Sequence, residues 1–169
     1  MIQRVALLRA VNVSGTNKLP MADLRAMAEG LGLNQVRTHI ASGNLLFASN
    51  ATEGELKAML EARIAEHMGK AVPVYIRAAD EMVAIVSANP FPDALGSRHM
   101  VFFFDDSPAP DTIELARDRQ GERIALARRE IHVDYADNIR NTRLKLPQKG
   151  EGTGRNMNTV RKLAELLSS

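Results

Sequence analysis

The order of short apolar segments and helical segments in the first half of the chain is the feature that most limits how it can fold. Four short segments have the continuous apolar character or the alternation that is typical of β-strands. Two longer segments have apolar residues at helical spacing, and Thr52 with Glu55 forms the pattern of a helix capping box. The predicted strands cover residues 4–11, 36–40, 45–48 and 72–77, and the predicted helices begin at Pro20 and after Thr52.

This order, strand–helix–strand–strand–helix–strand, predicts an α+β fold of the ferredoxin-like kind, with two helices on one face of a four-stranded antiparallel sheet. The second half repeats the order strand–helix–strand–strand–helix without a final strand. We therefore predict a duplicated ferredoxin-like fold with a degenerate second copy. The predicted parts are a first half at residues 1–86, a linker at residues 87–97, and a second half with a basic C-terminal loop and helix at residues 98–169.

The composition excludes several classes of protein. The absence of Cys excludes disulfides, thiol catalysis and Cys-ligated metal sites. No apolar run approaches the roughly 18 residues that a membrane span needs. The N-terminus enters a predicted strand directly and shows no signal peptide. We therefore expect a cytoplasmic protein without a membrane partner.

The charge is unevenly distributed along the chain. The formal net charge is only +2, yet residues 138–169 contain seven Lys and Arg against two Glu. A basic segment on a mildly acidic body is typical of a surface that binds an anion or nucleic acid. The alternative is a solvated terminal helix that follows a charged loop.

The first candidate site lies where this basic segment enters the last helix. Asn156 is a natural N-cap, so free backbone N–H groups and the positive helix end are expected beside Arg155. Arg155 and Lys149 would add charge-assisted hydrogen bonds to a phosphate or carboxylate. In the alternative interpretation Asn156 only caps the helix, Arg155 is solvated and the glycines of residues 150–154 form a connector.

Two polar loops of the first half are further candidates. The loop after the first strand contains Asn12, Gly15, Asn17 and Lys18, and it lacks the spacing of a Walker phosphate loop. The turn of the predicted hairpin contains Ser42, Gly43 and Asn44. The alternative for both is a turn whose amide side chains satisfy local backbone groups.

The histidines do not indicate a metal site, because His39, His67, His99 and His132 lack the spacing of metal ligands. The alternation of His132 with its apolar neighbours predicts that it lies on the exposed face of its strand. Ser42 has no acidic partner that would complete a catalytic set. We therefore assign no catalytic residue, no metal and no cofactor.

Three motifs together resemble the domain-of-unknown-function 1697 family of mostly bacterial proteins. They are the segment of residues 5–21, the Ser42-Gly43-Asn44 turn before a strand, and the segment of residues 155–163. Ala10, Val11 and Ser14 depart from the Gly, Ile and Gly that members usually have in the first motif, which predicts a stiffer loop. Met157 stands where members often have Trp.

The resemblance implies a duplicated ferredoxin-like α+β fold, and it implies no established activity, substrate or cofactor. The motif positions that form the candidate ligand site are polar residues on loops, and the basic segment adds one lysine to them. These residues are Arg9, Asn12, Gly15, Asn17, Lys18, Ser42, Gly43, Asn44, Lys149, Arg155, Asn156, Asn158 and Thr159.

The leading hypothesis is a binding protein that recognises an anionic ligand, such as a nucleotide or a nucleic-acid phosphate, at a loop-built site. One alternative is an enzyme that acts on a small phosphorylated or carboxylated substrate, with Lys18 and Arg155 as positioning groups. The other is a structural or assembly module. An incomplete second sheet would leave an edge strand that could pair with a partner or form a homo-oligomer.

Overall fold

The computed structural model describes residues 1–148 and 150–169 as an α+β protein. Within these residues, eight strands form two four-stranded antiparallel sheets, and five helices accompany them. The chain divides into a first unit, Met1–Val83 with Leu163–Ser169, and a second unit, Ala84–Lys162. None of the helices in the described part has the length and apolar character that crossing a membrane requires.

The first sheet has the strand order β2-β3-β1-β4, and all neighbouring strands are antiparallel. Its unit contains β1 (Ile2–Leu8), α1 (Met21–Gly30), β2 (Asn34–Thr38), β3 (Asn44–Ser49), α2 (Glu53–Met68) and β4 (Val74–Ala78). The predicted order of these six elements is confirmed. The strand that follows Pro73 lies at an edge of the sheet, where a missing backbone donor is tolerated.

One face of this sheet forms a core with α1 and α2. Leu56, Leu60 and Ile64 are fully buried and follow one another at four-residue intervals, so they form one stripe along α2. They belong to a cluster with Leu24 of α1 and Phe47 of β3. Burying each of these side chains contributes about 1.5–3 kcal/mol to folding, which fixes the helices on the sheet.

The ends of α2 follow from its local sequence. Thr52 Oγ1 accepts a hydrogen bond from the Glu55 N–H at 3.2 Å, and the Glu55 carboxylate accepts one from the Thr52 N–H at 2.9 Å. The helix ends at Gly69, which has a left-handed φ of 73°. The predicted capping box is therefore confirmed, and a cap of this kind contributes about 1 kcal/mol.

The second sheet has the strand order β6-β7-β5-β8 and is also antiparallel. Helix α3 (Ala79–Ser87) follows β4 and spans the boundary between the units, as does α5. The elements after α3 are β5 (His99–Phe103), α4 (Thr112–Leu115), β6 (Arg123–Leu126), β7 (Glu130–Asp134), β8 (Thr153–Asn156) and α5 (Met157–Leu167). The two sheets thus have the same order of strands.

The prediction that the second half lacks a final strand is wrong. Strand β8 pairs with β5, and it begins within residues 150–154, which the alternative interpretation of the sequence took as a glycine-rich connector. A Cβ atom on Gly152 would lie 2.5 Å from Cε1 of Phe104, and one on Gly154 would lie 2.9 Å from Cε1 of Phe102. These glycines therefore make room for two aromatic rings beside a strand, and do not provide flexibility.

The two units have the same number of strands, but in the described part of the chain the second unit lacks a helix between its last two strands. Between β3 and β4 the first unit has the 16-residue helix α2. Between β7 and β8 the corresponding segment, residues 135–152, contains no helix in its described part. The apolar face of the second sheet is instead approached by Leu144 and Leu146, which pack on a cluster with Ile131 and Val133.

Candidate functional site

The loop between β1 and α1 holds four non-glycine residues in the left-handed backbone region. Ala10, Asn12, Ser14 and Asn17 have φ of 57°, 55°, 49° and 52°. A left-handed conformation costs about 1–2 kcal/mol for a residue with a side chain, although Asn adopts it more readily. Such a loop keeps its shape only when surrounding contacts hold it.

Asn12 provides a large part of those contacts. Its Nδ2 donates to the carbonyl oxygens of Leu19 at 2.8 Å and Ala41 at 2.7 Å. Its Oδ1 accepts from the Leu19 N–H at 2.7 Å. One amide side chain therefore closes the first loop and joins it to the second, so these two predicted loops lie together.

The other amide side chains of the two loops are used in the same way. Asn17 Nδ2 donates to the Ala10 carbonyl oxygen at 2.9 Å, and Asn17 Oδ1 accepts from Lys70. Asn44 is fully buried and donates to the His39 carbonyl oxygen at 2.9 Å and to Ser42 Oγ at 3.0 Å. These bonds favour the interpretation in which the amide groups satisfy local backbone and turn groups.

Gly43 is required by close packing as well as by its backbone. Its φ is 90°, and a Cβ atom there would lie 2.7 Å from Val11 Cγ2 and 2.9 Å from Leu8 Cβ. Gly15 also has a left-handed φ, of 75°, but a Cβ atom on it would meet nothing within 4 Å. The contact between the two loops therefore depends on Gly43 and not on Gly15.

Two cationic residues of the predicted site remain in this region. Lys18 is exposed and makes no hydrogen bond or ion pair with any residue that the structure describes. Arg9 is half-buried, and its backbone N–H donates to the Pro73 carbonyl oxygen at 3.0 Å. Lys18 is thus the side chain of the loop that is open to an anion.

Arg155 belongs to the second unit and lies on β8, with only 6% of its surface exposed. Its Nη1 donates to Thr153 Oγ1 at 2.8 Å and to the Gly154 carbonyl oxygen at 2.9 Å. Burial lowers the pKa of Arg155 to about 10. The alternative interpretation, in which Arg155 is solvated, is therefore wrong, because the residue is part of a strand whose side chains at 153 and 155 are buried.

The remaining residues of the predicted C-terminal site lie around the start of α5. Asn156 Oδ1 accepts from the Thr159 N–H at 2.9 Å, so the predicted N-cap is confirmed. A Cβ atom on Gly96 would lie 2.0 Å from Asn158 Oδ1, which shows how closely Asn158 packs on that glycine. Lys149 lies outside the described residues.

A cavity of about 320 Å³ lies in the second unit, between β5 and the segment that follows β7. Its wall is mainly apolar and includes three aromatic rings. The lining residues are Phe102, Phe104, Tyr135, Leu144, Lys145, Leu146, Gln148 and Glu151. A few polar groups in a concave apolar wall are typical of a small-molecule site.

Lys145 of the cavity wall stands opposite a second cationic residue, Arg117. Arg117 and Lys145 form an antiparallel bridge with backbone N–H···O distances of 2.9 and 3.0 Å, so their side chains share one side of the bridge. Both are exposed, and Lys145 Nζ lies 3.9 Å from the Asp118 carboxylate. Like charges directly opposite each other are unfavourable, and a bound anion would relieve the repulsion.

Tyr135 supplies a neutral phenol to the cavity wall. Burial raises the pKa of its hydroxyl above the usual value, and the charge of Glu122 raises it further. The phenol is therefore protonated at neutral pH. Its ring can stack on a flat apolar group of a ligand.

His99 and His132 form a hydrogen-bonded pair on the other face of this sheet. His99 Nε2 and His132 Nδ1 are 2.8 Å apart, and both side chains are buried. Burial and the neighbouring His99 lower the pKa of His132 to about 4. The prediction of an exposed His132 is wrong, because β7 lies between β6 and β5 and all five of its residues are buried.

The cavity is the feature that sequence reasoning missed. The alternation Leu144-Lys145-Leu146 within the basic segment is the signal that marks two inward-facing apolar residues around an exposed cation. The aromatic wall carries no such local signal, because Phe102, Phe104 and Tyr135 meet only when β5, β7 and β8 pair.

Comparison with known proteins shows a similar solved structure and a matching family. The solved structure of conserved bacterial protein SP0830 from Streptococcus pneumoniae is 25% identical to this chain and has a TM-score of 0.83. The match covers 100% of this chain and 99% of that one. No curated protein matches the chain. The family model described as protein of unknown function (DUF1697) matches residues 1–132, and the chain therefore belongs to this family.

Proposed function

We propose that this is a ligand-binding protein whose second unit holds a small molecule with a flat apolar ring and an anionic group. The observation that carries the proposal is the cavity of about 320 Å³ with three aromatic rings in its wall. This volume lies near the lower end of the range for small-molecule sites, which extends over roughly 300–1,000 Å³. It limits the ligand to a small molecule.

The wall supports a flat ring as the apolar part of the ligand. Phe102, Phe104 and Tyr135 line the cavity with aromatic rings, and Leu144 and Leu146 add aliphatic contacts. Stacking of a nucleobase-like ring on an aromatic side chain contributes about 1–3 kcal/mol. Such binding tolerates different rings unless a polar group of the wall selects among them.

The charges beside the cavity support an anionic substituent. Arg117 and Lys145 are opposite each other, and a phosphate or carboxylate between them would accept a charge-assisted hydrogen bond from each, in place of the ion pair of Lys145 with Asp118. Arg140 and Arg143 add positive charge to the same segment and are exposed. Neither makes a hydrogen bond or ion pair with a described residue.

The architecture gives a reason for a cavity in this unit. The two units are two versions of one ferredoxin-like arrangement, a reading that the matching strand orders β2-β3-β1-β4 and β6-β7-β5-β8 support. In the first unit α2 fills the apolar face with a continuous stripe of side chains. In the second unit, the irregular segment before β8 covers the apolar face of the sheet less completely, and the cavity lies in the space that it leaves.

Isothermal titration calorimetry with the four ribonucleoside 5′-monophosphates tests the proposal, since each combines a flat ring with a phosphate. We expect binding to the wild-type protein that weakens as salt increases. Lys145→Gln removes one cation beside the cavity and should weaken binding about fivefold or more, while leaving the unfolding temperature close to that of wild type.

Lys18→Gln is the matched control, because it removes an exposed lysine from the first unit. It should leave the affinity unchanged. The absence of any binding, or equal affinities of the wild type and Lys145→Gln, would contradict the proposed function.

A second candidate is an anion site at the loop of residues 12–18, with Arg9 and Lys18 as its cations. The observation that favours it is the group of four left-handed residues, since backbone strain is concentrated at functional sites in proteins. The same titrations separate the two candidates. Weaker binding in Lys18→Gln, with unchanged binding in Lys145→Gln, would favour this loop.

A further inference from the structure

The irregular segment after β7 is joined to the loop before β6 along much of its length. Asn138 Nδ2 donates to the Gln120 carbonyl oxygen at 2.9 Å, and Thr142 Oγ1 donates to the Glu122 carboxylate at 2.8 Å. The backbone bridge described above adds two further hydrogen bonds. These contacts join two stretches into one surface, residues 117–122 and residues 138–145.

This surface is strongly basic. The two stretches contain five Lys and Arg against two acidic residues, and one of the two, Glu122, is buried. All five cations are exposed, and within the described residues their one ion pair is that of Lys145 with Asp118. We call these five residues the basic band: Arg117, Arg119, Arg140, Arg143 and Lys145.

The basic band meets the cavity at Lys145. This residue lines the cavity and is also exposed, so the cavity opens to solvent at the band. The exposed carboxylate of Glu151 also belongs to the lining and repels a phosphate, which favours the side of Lys145. A mononucleotide brings a single phosphate to this opening, and most of the five cations then face no anion.

We propose that the ligand is a single-stranded nucleic acid, with one unpaired base in the cavity and the neighbouring phosphates along the basic band. This inference rests on the proposed function and names the class of its ligand. Proteins that bind single strands combine a cationic track for the backbone with aromatic side chains on which bases stack. A duplex does not fit this arrangement, because its bases are paired and stacked and reach a pocket only when they are flipped out.

Calorimetry with a dodecanucleotide of mixed sequence, as RNA and as DNA, tests the inference against the mononucleotides. We expect the preferred single strand to bind at least about tenfold more tightly than the mononucleotides, because more of its phosphates contact the band. The same strand annealed to its complement should bind about tenfold more weakly than the single strand, since its bases are not available. Equal binding of the duplex and the single strand would contradict a base in the cavity.

Arg140→Gln combined with Arg143→Gln removes two cations of the band that do not line the cavity. Each cation that contacts a phosphate of a single strand contributes about 0.7 to the slope of log K against log salt, so the double variant should lower the slope by about 1.4. It should weaken dodecanucleotide binding about fivefold or more and leave the affinity for mononucleotides within about twofold of wild type.

Tyr135→Leu tests the base in the cavity, because it removes one of the three aromatic rings from the wall. Loss of stacking should weaken dodecanucleotide binding about fivefold or more, while the salt slope stays at the wild-type value.

Lys18→Gln combined with Arg63→Gln is the matched control, because it removes the same charge from the first unit. It should leave the salt slope and the affinities unchanged. The inference would be overturned, and the proposed function left standing, by a dodecanucleotide that binds no more tightly than the mononucleotides, or by wild-type salt slopes in the variant of Arg140 and Arg143. Wild-type dodecanucleotide affinity in Tyr135→Leu would also overturn the inference. Absence of binding by mononucleotides and single strands alike would overturn both.

Discussion

At the scale of single residues, the buried pair of His99 and His132 links folding stability to pH. Burial lowers the pKa of both rings from the ordinary value of 6.5, for His132 to about 4, so both are neutral in the folded protein at neutral pH. The unfolded chain keeps the ordinary pKa. Well above pH 6.5 neither state binds a proton at His132, and as the pH falls through 6.5 the unfolded state binds one first.

We therefore expect the stability of the protein to fall as the pH decreases from 6.5 towards 4, the window set by the lowered pKa of His132. One such group contributes a slope of at most about 1.4 kcal/mol per pH unit. His132→Gln removes this contribution and should make the dependence shallower in urea unfolding at a series of pH values. Equal slopes in the two proteins below pH 6.5 would contradict the assignment, and the region above pH 7 provides the baseline.

Gly43 allows a second test at this scale, with Gly15 as its control. Both glycines have left-handed φ, so replacement by Ala costs about 1–2 kcal/mol at either position. Only at Gly43 does the new methyl group collide with Leu8 and Val11, which adds about 1–3 kcal/mol. Urea unfolding should therefore show a larger loss for Gly43→Ala than for Gly15→Ala. A loss of the same size in both would mean that the two loops do not depend on this contact.

At the scale of elements, the success of sequence reasoning depends on how local each signal is. The capping box at Thr52, the N-cap at Asn156 and the hairpin turn before β3 involve neighbouring residues, and they were predicted. Strand β8 was missed because its stability comes from pairing with β5, about 50 residues earlier in the chain, and from rings that pack over Gly152 and Gly154. Alternation also failed at His132, since it does not reveal that β7 is buried on both faces.

Gly152, the residue directly before β8, leads to a prediction about this strand. Gly152→Ala would place a methyl group 2.5 Å from the Phe104 ring and 2.8 Å from the Phe103 carbonyl oxygen. The backbone atom cannot move away easily, so the strand pairing should weaken by about 1–3 kcal/mol in addition to the cost of a left-handed alanine.

Gly121→Ala is the matched control in the same unit, because Gly121 also has a left-handed φ and a Cβ atom on it would meet nothing within 4 Å. Hydrogen exchange should show faster opening of β8 in Gly152→Ala and wild-type exchange there in Gly121→Ala. Unchanged protection of β8 in both variants would show that the ring contacts do not hold the strand.

At the scale of the whole molecule, two sheets with the same strand order are covered by different kinds of segment. The first unit has a helix between its third and fourth strands, and the second has an irregular segment with Arg140, Arg143 and Lys145. The basic character of this segment was evident in the sequence, whereas the cavity beneath it was not, because its walls come from residues spread over positions 102–151. Charge is a property of the chain, but a cavity exists only after strands and loops have packed.

The position of Tyr135 gives the protein an optical property that needs no label. The chain contains no Trp and only two Tyr, so its ultraviolet emission comes from tyrosine. Tyr135 lines the cavity. Tyr75 lies on β4, and the centre of its ring is 4.9 Å from the ammonium nitrogen of Lys57. A ring that stacks on Tyr135 would quench one of two emitters and leave the other as an internal reference, which makes the intrinsic fluorescence of the protein a direct reading of cavity occupancy.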